Sequence, residues 1–307
     1  RKNFRQLAVN APLDVCLTGQ NLVMRTGLQG KYIDALDAQD TLATKIIKET
    51  DSIMAITGMD ENRYAYITKS GKMRVVHYPM EILQSVNLSY SHVNDMDYVA
   101  SGLFALATDS GCVIINPGGG IVARCEGLDE RVNAVAFSDD GQLVATASAN
   151  RTASLWNLDG QEIIRLDRHY GEVTDVDISL RQEALVTGCQ DSVVRIWNLK
   201  GELLHRYYDH SNSVRSVQFA PRGNYVVSAS DDGSVRIWNF KGDVFANVRH
   251  PKGEQVKKAI LRHDQLITLS EDKFTQERFV RLWQLDAAQI IEKVKMRYAL
   301  KPQLELP

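Results

Sequence analysis

The residues best equipped for chemistry in this chain are histidines that each precede a hydroxyl residue, a carboxylate and a tryptophan at matched spacing. Counting back from Trp238, Asp232 stands six residues before it, Ser228 ten and His210 twenty-eight, and the same offsets from Trp197 reach Asp191, Thr187 and His169. A third set, His250, Thr268, Asp272 and Trp283, follows the pattern with extra residues between Asp272 and Trp283. A Ser, a His and an Asp that converge in space are the parts of a nucleophilic catalyst, the imidazole taking the hydroxyl proton while the carboxylate holds its tautomer. Two features argue against that use. Thr replaces Ser freely, and the set recurs, whereas one active site needs one nucleophile.

Other chemistries find less support. Lys and Arg number 36 against 38 Asp and Glu, a formal net charge of -2 with both signs dispersed, so no basic field favours nucleic acid. The four cysteines, Cys16, Cys112, Cys125 and Cys189, include no Cys-x-x-Cys pair and no paired histidines at ligand spacing, so neither a metal nor another cofactor is expected. Cys16 and Cys189 fall inside apolar strand patterns, where thiols are ordinarily buried and inert, and reduced cysteines fit a cytoplasmic setting. Pro117 followed by Gly118, Gly119 and Gly120 lacks the Lys-Ser/Thr of a phosphate loop and reads as a flexible turn. Lys72, Arg74 and His77 read as an exposed strand face, and Tyr207-Tyr208 as edge packing. No apolar run approaches the roughly 18 residues that span a bilayer, and no signal-type stretch follows the opening Arg1-Lys2-Asn3-Phe4-Arg5. The first residue is not Met, which is compatible with a segment of a longer protein.

The elements that must position the histidine sets come from a repeat. Arg195-Ile196-Trp197-Asn198-Leu199-Lys200-Gly201 returns 41 residues later as Arg236-Ile237-Trp238-Asn239-Phe240-Lys241-Gly242, and Trp156 and Trp283 extend the series in both directions. A frame through positions 30, 71, 111, 151, 192, 233 and 278 continues it into the first 120 residues, which lack the tryptophan. Within one unit, Val214 to Phe219, Tyr225 to Ser230, Val235 to Trp238 and Val244 to Val248 alternate or carry β-branched residues as strands a, b, c and d do. Asp231-Asp232-Gly233 and Lys241-Gly242 supply the intervening turns. A period near 40 with four short strands predicts an all-β, seven-bladed β-propeller of four-stranded antiparallel blades. The whole chain, 1–307, is expected to be one such domain, with units at about 11–50, 51–91, 92–127, 128–168, 169–209, 210–249 and 250–298. Residues 1–10 or 288–296 would supply the outer strand of the last blade.

On these motifs the chain resembles the WD-repeat β-propeller family, and bacterial-type arrays in its Leu-x-Gly or Phe-x-Gly turns between strands c and d. The resemblance implies that each His, Ser/Thr, Asp and Trp set is a structural hydrogen-bonded tetrad. The Trp156 repeat departs, with Thr146 kept but Asn150 in place of the Asp and Leu128 in place of the His. The resemblance also implies that a protein or peptide partner sits on the face where the d–a and b–c loops meet. By register that face carries Arg131, Asn133 and Arg151, then Glu172, Thr174, Gln190 and Ser192, then Ser213, Arg215 and Asp231, and last Gln255, Glu271 and Lys273. Convergence of Arg131, Arg151 and Arg215 would suit an acidic or phosphorylated peptide. A non-catalytic cytoplasmic interaction scaffold is therefore the expected function, with a sensor or autoinhibitory propeller of a larger bacterial signalling protein as the alternative. Neither nucleic acid nor membrane is expected as a partner.

Overall fold

Segments such as Phe104-Ala105-Leu106-Ala107 and Ala184-Leu185-Val186 are continuous apolar runs, the pattern of strands covered on both faces. The computed structural model describes residues 4–9, 15–17, 22–26, 32–37, 44–78, 81–90, 92–125, 127–128, 130–221, 225–262 and 265–284, and before Ile47 it describes the side chains of Cys16 and Ile33 alone. In chain order the strands are β1 (Phe4–Val9), β2 (Val15–Leu17), β3 (Leu22–Thr26), β4 (Tyr32–Asp37), β5 (Thr44–Lys48), β6 (Ile53–Gly58), β7 (Arg63–Thr68), β8 (Lys72–His77), β9 (Glu81–Asn87) and β10 (Val93–Tyr98). They continue as β11 (Phe104–Thr108), β12 (Gly111–Ile115), β13 (Ile121–Cys125), β14 (Val132–Phe137), β15 (Leu143–Ser148), β16 (Ala153–Asn157), β17 (Glu162–Leu166), β18 (Val173–Ser179) and β19 (Ala184–Cys189). The remainder are β20 (Val194–Asn198), β21 (Leu203–Tyr207), β22 (Val214–Phe219), β23 (Tyr225–Ser230), β24 (Ser234–Asn239), β25 (Val244–Arg249), β26 (Glu254–Arg262), β27 (Gln265–Asp272) and β28 (Arg278–Gln284).

The expectation of a seven-bladed propeller is corrected to six blades of four-stranded antiparallel sheets, each built from consecutive strands. Six antiparallel sheets are built from four consecutive strands each, β2–β5, β6–β9, β10–β13, β14–β17, β18–β21 and β22–β25. The remaining sheet is a composite in the order β1-β28-β27-β26, with Phe4 opposite Trp283 and Val9 opposite Arg278. The reason is local: from residue 250 to Gln284 the chain supplies three strands, and β28 would present an open edge. The first strand of the chain covers it. Residues 288–296, the other candidate for that position, lie outside the described residues.

Successive inner strands from β2 through β6, β10, β14, β18 and β22 to β26 contact one another and together line a central cavity of about 620 Å³. Blade faces bury against each other, and each tryptophan lies on the face toward the preceding blade. Trp156 packs with Cys112, Ile114 and Leu128, Trp197 with Leu155 and Leu166, and Trp238 with Ile196 and Tyr207. Outer strands show the alternation of half-covered edges, as in β13, where Ile121 and Val122 are exposed while Ala123 and Cys125 are buried.

Each inner strand has one edge with no strand beside it, so its backbone groups need other partners. Neighbouring blades provide them. A register shift follows the first residue of β10, β14, β18 and β22 and the third residue of β26, and a bulge re-aims the side chain at that point. The residues so placed are Asn94, Asn133, Thr174, Arg215 and Lys257. Asn94 donates to the Val132 carbonyl at 2.9 Å, Asn133 to Val173 at 2.8 Å and Thr174 to Val214 at 2.6 Å. Farther along, Asp95 and Asp97 accept the Val135 and Phe137 N–H groups, and Asp175 and Asp177 accept those of Val217 and Phe219.

The turn between β16 and β17 shows how tightly blades nest. Gly160 has φ +80°, and a Cβ there would run into the backbone carbonyl oxygen of Arg124 in the preceding blade. Gly160→Ala is expected to destabilise the protein by about 2 kcal/mol or more, because left-handed strain and a backbone clash act together. Chemical denaturation checks this, and an unchanged midpoint would refute the close approach.

Candidate functional site

The strand order places d–a and b–c loops at one end of every blade, and the histidine sets lie just beneath that end. In the β22–β25 blade the set forms a continuous chain. Trp238 Nε1 donates to Ser228 Oγ at 2.8 Å, His210 Nε2 lies 2.7 Å from the same oxygen, and His210 Nδ1 lies 2.9 Å from Asp232 Oδ2. Ser228 and Trp238 are fully buried. The indole already occupies the hydroxyl oxygen, so the arrangement satisfies buried polar groups rather than presenting a nucleophile.

The β18–β21 blade repeats half of that chain. Trp197 Nε1 donates to Thr187 Oγ1 at 3.0 Å and His169 Nε2 is 2.9 Å from it, whereas Asp191 is engaged by Arg195 Nη1 at 3.0 Å and Nη2 at 2.7 Å and by the Tyr170 N–H. Burial first, then the Arg195 charge, pushes His169 down to about 4, so its ring is neutral near pH 7. In the composite sheet Trp283 donates to Thr268 at 2.9 Å, but Asp272 is not the carboxylate beside His250. Asp272 accepts the Phe274 and Thr275 N–H groups in the β27–β28 hairpin. Glu254 takes the central place, 3.3 Å from His250 Nδ1, 2.6 Å from Ser270 Oγ and bridged by both guanidinium nitrogens of Arg281 at 2.5 and 2.6 Å. The extra residues in that hairpin displaced Asp272 from its register. The Trp156 blade keeps only the bond from Trp156 Nε1 to Thr146 at 2.9 Å, with Leu128 buried where the others have His.

The sequence reading did not assign the buried arginines. Arg195, Arg236 and Arg281, two residues before their tryptophans, are 2%, 6% and 1% exposed, and each meets a carboxylate beneath the loop face. Their recurrence at a fixed offset was the available signal. Arg74, expected on an exposed strand face, instead pairs with Glu49 at 2.5 Å, and the Tyr66 hydroxyl donates to the same carboxylate. A Glu, a Tyr and an Arg thus replace the histidine set in the β6–β9 blade.

On the loop face the residues read from register have several different fates. Arg131 pairs with Glu172 across two blades at 3.0 Å. Asn133 and Thr174 make the interblade bonds already described. Arg215 and Lys257 share the buried Asp231, and Lys257 also donates to Gln255 at 2.8 Å. Ser213 donates to the Gln190 carbonyl at 3.4 Å, and Glu271 pairs with Arg278. Lys273 sits over the ring of Phe274 with its Nζ 4.7 Å from the centroid. Arg151 and Ser192 stand apart through their backbones, with φ of 72° and 69°. Of Arg131, Arg151 and Arg215, the arginines whose convergence would suit an anion, Arg131 and Arg215 already hold carboxylates. Tyr170 and Phe274, 83% and 77% exposed, were not singled out from sequence, where a single aromatic in a loop carries no periodic signal.

Residues 119–157, 160–198 and 201–239 match the family model of the WD domain, G-beta repeat, in three successive units. The chain thus contains three WD repeats over those residues. It is similar to an uncharacterized WD repeat-containing protein of Synechocystis sp., 43% identical over 75 residues. That alignment takes in 24% of this chain and 22% of the relative, so the chain matches under a quarter of the relative's length. No helix among the described residues is long and apolar enough to cross a membrane, and no group of His, Cys, Asp or Glu among them is arranged to hold a metal ion.

Electrostatics divide the propeller into two regions. Beneath the loop face, burial acts to raise Asp232, Asp191 and Glu254, but hydrogen bonds and adjacent cations outweigh it; Asp232 and Asp191 are held below the usual carboxylate range and Glu254 at about 2. Around the cavity the balance reverses. Desolvation raises Asp97 to about 6 and Asp177 to about 7, and desolvation together with the nearby Asp95 raises Asp175 to about 8.

Two expectations follow from these placements. Glu254→Gln should cost about 3 kcal/mol by leaving Arg281 with a buried, uncompensated charge, whereas Asp272→Asn should cost about 1 kcal/mol or less. Denaturation midpoints distinguish them, and equal losses would return Asp272 to the histidine set. For the cavity, Asp175 and Asp177 have folded values above the ordinary 3.8, so their stabilising contribution is complete below 3.8 and disappears as pH rises through about 7 and 8. Asp175→Asn with Asp177→Asn keeps an oxygen acceptor for the same N–H groups. The double variant should lose less stability than the parent between pH 5 and 8.5, and an identical pH profile would show that these carboxylates ionise freely.

Proposed function

We propose that this chain is a non-catalytic interaction scaffold whose loop face receives an acidic peptide segment of a protein partner. Arg151 is the observation that carries the reading. It occupies the turn position filled by Gly71, Gly111 and Gly233 in other blades, with φ of 72° where theirs are positive as well. A side chain held there costs about 1 kcal/mol of backbone strain relative to glycine. The strain is understandable if that side chain is used. The Arg151 backbone approaches the buried His169 ring, and the exposed Tyr170 follows His169 directly in the chain, on the same side of the blade junction as that approach. The pair offers a cation and an aromatic surface together, the combination enriched where proteins bind each other.

Charge supports the acidic character of the partner. Arg215 and Lys257 share one carboxylate, Asp231, leaving a net positive charge at the junction between the β22–β25 blade and β26, and Lys273 adds another near Phe274. The four cysteines are free thiols, which accords with a cytoplasmic location.

A random-peptide library selected on the parent protein tests the proposal, with Arg151→Gly/Tyr170→Ala as the comparison. Glycine suits the turn, so the variant should be no less stable at that position. Selected peptides should be rich in Asp and Glu and bind the variant about tenfold more weakly, a loss of about 1.4 kcal/mol. Equal binding to both proteins, or selection of peptides without acidic residues, would contradict the assignment.

A further inference from the structure

We propose that Cys112 and Cys125 form a reversible cross-strand disulfide, which makes the outer edge of the β10–β13 blade a site of oxidative modification. Cys112 on β12 lies directly opposite Cys125 on β13 in the antiparallel ladder. Opposed residues in such a ladder have Cα atoms about 4.5 or 5.5 Å apart, and disulfides form across about 4.4 to 6.8 Å. Their side chains also leave the sheet on the same side, and the Cys125 thiol is the largest influence on the ionisation of Cys112. Both are buried in one apolar cluster with Ile114, Ala123 and Leu128. The other thiols are placed differently: Cys16 is on β2, and Cys189 on β19 donates to the Gly171 carbonyl.

Burial limits reactivity in the closed blade. The contact with Cys125 and the apolar surroundings hold the Cys112 thiol well above its ordinary range, so thiolate is scarce. Access comes through β13. It is the edge strand of its sheet, paired only with β12, and its register slips between Ile114 and Ile115. One ladder must break for β13 to lift, the kind of local opening that edge strands undergo most readily.

Hydrogen peroxide is a sufficient oxidant. In the open state one thiol loses its proton and its sulfur attacks a peroxide oxygen; the O–O bond breaks, the leaving hydroxide takes up that proton as water, and a sulfenic acid remains. When β13 closes, the second sulfur attacks the sulfenic sulfur, the S–O bond breaks, and the displaced oxygen leaves as water with the second thiol's proton. Two thiols are oxidised and one peroxide is reduced to two waters. A dithiol reverses the change by exchange. The bond would fix β13 to β12 at the end that leads through Gly127 and Leu128 toward Arg131.

The folded protein is treated with hydrogen peroxide under native conditions, its remaining thiols are alkylated, and non-reducing peptide mapping follows. The expected result is a linked pair of peptides carrying Cys112 and Cys125, lighter by two hydrogens and released by dithiothreitol, with Cys16 and Cys189 still alkylated. The oxidised protein should melt roughly 5 °C higher than the reduced one, and Cys112→Ala and Cys125→Ala should each abolish the difference. Alkylation of both residues after treatment, their conversion to sulfinic or sulfonic acids, or linkage to Cys16 or Cys189 would overturn the proposal.

Discussion

A buried guanidinium cannot stand without a carboxylate, and that requirement organises the loop end of this propeller. Arg195, Arg236 and Arg281 project from the c strands into spaces that exclude water, where an uncompensated charge would cost several kcal/mol, on the order of 3 to 5. Asp191 and Asp232 answer from the b–c turns, and Glu254 from the start of an inner strand. Each pairing ties a loop to the centre of its blade. The histidine, hydroxyl and indole groups then complete the satisfaction of polar atoms around the pair, fully in one blade and partly in two others. The loops that form the proposed binding face are therefore positioned by groups buried beneath them.

The opposite problem arises at the cavity, where inner strands leave N–H and C=O groups without a sheet neighbour. Side chains from the adjacent blade supply the missing partners, through Asn94, Asn133 and Thr174 at the bulges and through the Asp pairs deeper in. These contacts run from one blade to the next, so they join the units into a ring-like stack as the apolar layers do. They also explain why two positions that register places on the binding face, Asn133 and Thr174, are occupied with structural bonds. A face position and a free side chain are different things.

The repeat and its strands were readable because period, turn residues and β-branched content all pointed the same way, as in β22 to β25. The Trp238 and Trp197 sets could be found from spacing alone. Asp272 could not be placed, because the hairpin insertion broke the register and a Glu four residues after His250 took over. Glu49, Tyr66 and Arg74 were unreadable as a set, since none matches the residue types of the other blades. The composite sheet depends on a contact between Phe4–Val9 and β28 at the far end of the chain; residues 1–10 were one of two candidates for that place, and no local pattern chose between them. Arg195, Arg236 and Arg281 were visible as a recurring residue, but long arginines in strands usually face water, and only the geometry shows that these do not.

The central claim is that buried arginine–carboxylate pairs hold the loop face in place. Hydrogen exchange on Arg236→Met, compared with the parent, tests it most directly, because methionine fills much of the space while removing the charge. The account predicts faster exchange at amides 210–213 and 231–233, whose loops Asp232 ties down, with little change in β15, β16 and the other strands of distant blades. Unchanged exchange at those amides, or an increase spread evenly through the propeller, would contradict it.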